Sequence, residues 1–120
     1  MQLKSKSLTG VVQPLSYVDK MLRQQGFYRA GGENTPTYDV VIYDSATSTS
    51  YFLRIPTSYT QSPSGKGEIS VRLGQPYLEA KFYMHLADEE ILYIPQAIRE
   101  AALHKLAEIA DYLSSPPPAE

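Results

Sequence analysis

The stretch from Tyr51 to His85 reads YFLRIP (51–56), TSYTQSPSGKGE (57–68) and ISVRLGQPYLEAKFYMH (69–85). In its first part Tyr51, Leu53 and Ile55 alternate with Phe52 and Arg54. In its last part Ile69, Val71 and Leu73 alternate with Ser70 and Arg72, and Leu78, Ala80, Phe82 and Met84 alternate with Glu79, Lys81, Tyr83 and His85. A period of two with one apolar side is the signature of a half-buried strand. Three strands are therefore expected. Pro56 ends the first, Thr57–Glu68 forms the longest loop, and Gly74-Gln75-Pro76-Tyr77 turns the last two into a hairpin. Leu73 opposite Leu78 sets Arg72 against Glu79 and Ser70 against Lys81, so charge and apolar pattern agree on the register.

The elements on either side follow from the same logic. Thr37–Asp44 contains YDVVIY, a β-branched and aromatic run that reads as a strand. Tyr38, Val40 and Ile42 share one side; Asp39, Val41 and Tyr43 share the other. The polar turn Ser45–Ser48 joins it to the strand beginning at Ser50. Gly26–Arg29 is a short strand candidate, and Ala30–Pro36 is a loop. Leu3 and Leu8 are apolar anchors for the polar N-terminal residues, which suit an edge strand. Leu15, Val18, Met21 and Leu22 fall at helical spacing over Ser16–Gln25. Ser16 with Asp19 resembles a capping box, and Gly26 stands where a left-handed residue stops a helix. Ile98, Ala102, Leu106, Ile109 and Leu113 form a second stripe, widened by Leu103, Ala107 and Ala110, over a helix Pro95–Leu113.

Hairpin-linked strands flanked by helices predict an α+β fold. Its antiparallel sheet has four or five strands, with an N-terminal helix and a longer C-terminal helix on one face. The length of 120 residues suits a single domain, 1–113, followed by the Pro-rich tail 114–120 (SSPPPAE), expected to be flexible.

Composition removes several chemistries. There is no cysteine, so disulfides, thiolate nucleophiles and cysteine zinc sites are impossible. A net charge of −2 argues against nucleic-acid binding by bulk electrostatics. Met1–Ser7 is polar and basic with no apolar core after it, and no run approaches a membrane span, so a cytoplasmic protein is expected. Gly31-Gly32 and Ser64-Gly65-Lys66-Gly67 lack the spacing of phosphate loops. With only His85 and His104 the chain offers no histidine pair for a metal, and no Gly-x-Ser-x-Gly elbow is present. The sequence thus names no catalytic residue, metal ligand or cofactor, and leans away from an enzyme.

One surface stands out. The second sheet side gathers Asp39, Tyr43, Phe52, Arg54, Ser70, Arg72, Glu79, Lys81, Tyr83 and His85. Rings mixed with arginines fit a protein partner, including a second copy of the chain, better than a small molecule. The alternative is a small-anion site in a sensor or enzyme, built on Arg54, Arg72, Lys81, His85 and Tyr83. The pairs Arg72–Glu79 and Arg54–Asp39 compete with it by neutralising the cations.

YFLRIP at 51–56, VRLGQPYL at 71–78 and the following EAKFYMHLADE resemble the YugN-like family of Gram-positive bacilli. Ser7-Leu8-x-Gly10, Pro14-Leu15 and Gly26-Phe27 are similar to that family's opening. The resemblance covers about residues 7–90. It implies an α+β fold and a bacillar cytosolic setting, and it carries over no catalytic residue.

Overall fold

The computed structural model describes residues 1–30, 35–60, 69–80 and 94–114. In chain order the elements are β1 (Val12–Pro14), α1 (Leu15–Gln24), β2 (Tyr28–Ala30), β3 (Thr37–Asp44), β4 (Thr49–Thr60), β5 (Ser70–Leu73), β6 (Tyr77–Ala80) and α2 (Gln96–Leu113). Every strand pairing is antiparallel. The sheet order is β1-β5-β4-β3-β2, with β6 also on β4. The α+β architecture expected from the sequence is present. The sheet has six strands rather than four or five. The addition is β1, directly before the first helix.

The centre is β4, and it is longer than its sequence suggested. Pro56 does not end it, and Thr57–Thr60 are strand rather than loop. One edge of β4 pairs with β3 from Thr49↔Asp44 to Pro56↔Thr37. The other carries β6 on Tyr51–Arg54 and β5 on Thr57–Thr60. Backbone groups in an antiparallel ladder point alternately to the two neighbours. The Pro56 carbonyl accepts from the Gly74 amide at 2.8 Å, so residue 56 faces the β5–β6 side. The absent proline N–H therefore falls where β5 gives way to β6, and no bond to β3 is lost.

That junction corrects the expected hairpin. Gly74-Gln75-Pro76 does not reverse the chain; β5 and β6 run on in the same direction along β4. Gly74, Gln75 and Pro76 lie opposite Ile55 and Pro56 alone, which makes a bulge of one extra residue. A Cβ on Gly74 would meet Pro56 Cγ at 3.1 Å, so a larger residue there requires the Pro56 ring to give by a few tenths of an ångström. Arg72 is consequently opposite Ser58, not Glu79, and Glu79 is opposite Phe52. The N-terminal residues extend the sheet beyond β6. Gln2 bridges Tyr77, and Leu3 donates its amide to the Pro76 carbonyl.

Both helices cover the side bearing Tyr38, Tyr51, Leu53, Ile55, Val71, Leu73 and Leu78, all buried. From α1 come Val18 and Leu22; from α2 come Ile98, Ala102, Leu106, Ile109, Ala110 and Leu113. Leu103 and Ala107 do not widen the buried stripe as expected: both are exposed. The helix rotates them away from the sheet.

The α1 start also differs from expectation. Pro14 is the N-cap, no side chain caps the helix, and Leu15 donates its amide to the Ile69 carbonyl of the sheet at 2.8 Å. Asp19 is released from a capping role. It accepts from Arg23 Nε and the Tyr38 hydroxyl, each at 2.8 Å. Burial raises the Asp19 carboxyl, but these two hydrogen bonds together with the charges of Arg23 and Arg29 outweigh it and hold the group below its ordinary value. Burial, then the carboxylate, pushes the Tyr38 hydroxyl up.

The α1 end follows the sequence. Gly26 has φ of +93°, Gly26 N–H donates to Arg23, and Phe27 N–H donates to Leu22. This is the paired bonding of a Schellman stop. The nearest atom to a Cβ on Gly26 would be Val40 Cγ2 at an ordinary 3.8 Å. Gly26→Ala should therefore lose about 1 kcal/mol through backbone strain alone, read as a lower urea midpoint at unchanged slope.

At the opposite end, α2 begins at Pro95 as N-cap, one residue from the expected position. Its last carbonyls are held from the far end of the chain. Gln13 Nε2 donates to Leu113 O at 2.6 Å, and the Tyr17 hydroxyl donates to Tyr112 O at 3.1 Å. Amide and hydroxyl donors thus satisfy groups that a helix terminus leaves open.

Candidate functional site

The side of the sheet away from the helices is built by alternation. Residues directly opposite in antiparallel strands share a face. Tyr28 on β2, Asp39 on β3, Arg54 on β4 and Tyr77 on β6 therefore form one row across four strands. The next row is Val41, Phe52 and Glu79, and beyond it Tyr43 stands opposite Ser50.

Arg54 organises these rows. Its Nε donates to Asp39 Oδ1 and its Nη2 to Asp39 Oδ2, both at 2.7 Å. Nη1 meets the Tyr77 hydroxyl at 3.4 Å and lies 3.7 Å from Glu79 Oε1. The guanidinium carbon stands 5.6 Å from the Phe52 ring centre and 5.9 Å from that of Tyr77. The planar fork matches a carboxylate on one edge and offers its faces to rings, as lysine cannot. The hydrogen bonds that Arg54 donates to Asp39, then to Tyr77, hold its proton more firmly than usual. Asp39 is 1% exposed although it lies on the outer side of the sheet. A buried carboxylate needs such a partner, because an unpaired one is strongly disfavoured.

Of the neutralising pairs expected from the sequence, Arg54–Asp39 forms. Arg72–Glu79 does not, because the bulge sends these residues to different parts of β4. Arg72 is exposed and faces Ser58, about 13 Å along β4 from Arg54 at the rise of an extended strand. The two arginines of the anion cluster therefore do not converge. Its other members, Lys81, Tyr83 and His85, lie outside the described residues. His104 is exposed on α2. Among the described residues no group of three or more His, Asp or Glu stands together as a cation site.

Sequence reasoning missed Tyr77 and Tyr28 as members of this face. The local pattern places Tyr77 in a turn, and Tyr28 in a short strand with no fixed neighbour. The signal for Tyr77 was available in part: the apolar positions change from odd (Val71, Leu73) to even (Leu78, Ala80), as a bulge requires.

The profile of the YugN-like family matches residues 2–111. Uncharacterized protein YlbA of Bacillus subtilis (strain 168) is 30% identical over 88 residues, covering 71% of each chain. The crystal structure of the uncharacterized conserved protein YugN from Geobacillus kaustophilus HTA426 superposes with a TM-score of 0.77 over 95% of each chain. Its identity of 21% makes it a likeness of fold. No described helix is long and apolar enough to cross a membrane. By the match over nearly its whole length, the chain belongs to the YugN-like family.

Proposed function

We propose that this chain is a small, non-catalytic interaction domain of the bacterial cytoplasm that associates with a second copy of itself through its sheet. The observation that carries this reading is the state of the outer sheet face. Its central cation is already engaged by Asp39, Glu79 and Tyr77. Beside it, among the described residues, stands exposed ring and aliphatic surface: Tyr28 is 44% exposed, Val41 39% and Tyr43 60%. Aromatic side chains around an internally paired arginine are the composition favoured at the centre of protein interfaces. The anion-site alternative finds less support, since Arg54 is engaged and Arg72 stands apart from it.

Light scattering coupled to size exclusion tests this reading over about 1 μM to 1 mM protein, the range of weak to moderate association. The mass is expected to rise from the 13.4 kDa of one chain towards twice that value. A constant mass across the range would remove self-association as the use of the sheet.

A further inference from the structure

Beside the sheet's outermost strands β1 and β2, a stretch of β3 also has an open side among the described residues. Along β3, pairing with β4 runs the full length from Thr37 to Asp44. On the other side β2 covers only Thr37, Tyr38 and Asp39. No described strand lies against positions 40–44 there.

The direction of the backbone groups on this edge follows from alternation. Even residues of β4 face β5 and β6, as the Pro56 carbonyl bonded to Gly74 establishes. Odd residues of β4 then face β3. Their partners on β3 are the even ones, with Tyr38 opposite Ile55, Val40 opposite Leu53 and Ile42 opposite Tyr51. The N–H and C=O of Val41 and Tyr43 are left pointing outwards.

Natural edges are usually guarded by lysine, proline, a bulge or a covering loop. Positions 41–44 read Val-Ile-Tyr-Asp and carry none of the first two. Asp44 is committed to its own turn, accepting from Ala46 N at 3.1 Å and Thr47 Oγ1 at 2.8 Å. By contrast, β1 at the opposite side of the sheet ends in Pro14.

Resting on the self-association proposed above, we infer that the second copy docks along this edge, β3 to β3, antiparallel across a two-fold axis at Ile42. One register joins all four open groups of each chain. Val41 then exchanges both bonds with the partner copy's Tyr43-equivalent position, and Tyr43 does the same with the Val41-equivalent position. It also sets a β-branched side chain against an aromatic one on the outer face, a favourable cross-strand pair, twice. The two-fold placed at 41 or at 43 leaves half of these groups unbonded. Length agrees as well: the open seat spans 40–44, and the strand end that fills it spans 40–44 before the turn at Ser45. The outer faces of the two sheets become continuous. Because the paired stretch is short, the contact is smaller than the ~1,000 Å² of a stable interface, and the dimer is weak and concentration-dependent.

Hydrogen exchange on the wild-type chain tests this directly, read beside the mass. At about 10 μM the Val41 and Tyr43 amides should exchange as open-edge groups, and at about 1 mM they should be protected. Val40 and Ile42, bonded to β4, should be protected at both concentrations. Val41→Pro removes one outward donor and no bond to β4, and Tyr43→Lys restores an edge guard without touching the backbone. Either variant should keep the mass of one chain at about 1 mM, with the circular dichroism of the wild type. A rising mass with Val41 and Tyr43 still unprotected would overturn the edge contact while leaving self-association standing. A mass that never rises would overturn both. If Val41→Pro fails to fold, Tyr43→Lys and the wild-type exchange decide the question.

Discussion

Arg54→Met is expected to cost about 3 kcal/mol of folding free energy, the loss that follows when one partner of a buried ion pair is removed. Both Asp39 oxygens are bonded to this guanidinium at 2.7 Å, and the carboxylate has almost no contact with water. Without Arg54 the charge stays buried with its strongest donors gone. The figure is set at the lower end of such losses because Arg54 itself keeps 28% of its side-chain surface. The double variant Asp39→Leu with Arg54→Met should recover most of the stability, since both polar partners are then replaced by apolar ones. Urea unfolding of the two single variants and the double variant gives the coupling between the sites. A single-variant loss below about 0.5 kcal/mol, the size of an ordinary surface change, would show that the pair does not anchor the face.

The second large effect separates two leucines three positions apart on α2. Leu106→Ala should cost about 3 kcal/mol, because Leu106 is 1% exposed in the core and its removal leaves a cavity. Leu103→Ala should cost less than about 0.5 kcal/mol, because Leu103 is 39% exposed and alanine is the better helix former. Thermal or urea unfolding of the two variants checks the ordering. Equal losses would mean that α2 sits on the sheet at a different rotation about its axis.

These two predictions also mark what the sequence could and could not carry. The Asp39–Arg54 pair was readable, because period-two alternation fixes the side of each residue and the short turn Ser45–Ser48 fixes the register of β3 on β4. The rotation of α2 was readable only to its main stripe. Leu103 is as apolar as Leu106, and only the packed sheet decides between them. At Gly74–Tyr77 local pattern could not decide at all. A hairpin turn and a bulge both move the apolar positions from odd to even. The choice was made elsewhere in the chain, by both halves of β4 on one side of residues 70–80 and by β1 with Gln2 and Leu3 on the other. Pro56 misled for a related reason. Its missing donor is a fault in a regular ladder and harmless beside a bulge. The capping box failed because the Ile69 carbonyl, distant in sequence, took the Leu15 amide. Of the candidate site, the face was legible through Asp39, Tyr43, Phe52, Arg54 and Glu79, while its row-mates Tyr28 and Tyr77 depended on strand order.

The bonds from Gln13 and Tyr17 to the last turn of α2 bear on how this protein is made. They join residues separated by 100 and 95 positions. During synthesis the β3–β4 hairpin can form early, since its contacts are local. The apolar side of the sheet, however, has no cover from α2 until residues 96–113 have left the ribosome. Closing so long a loop is slow, and an uncovered sheet is prone to aggregation in the interval. A nascent chain halted before Leu113 would present that bare side to whatever chaperone it meets.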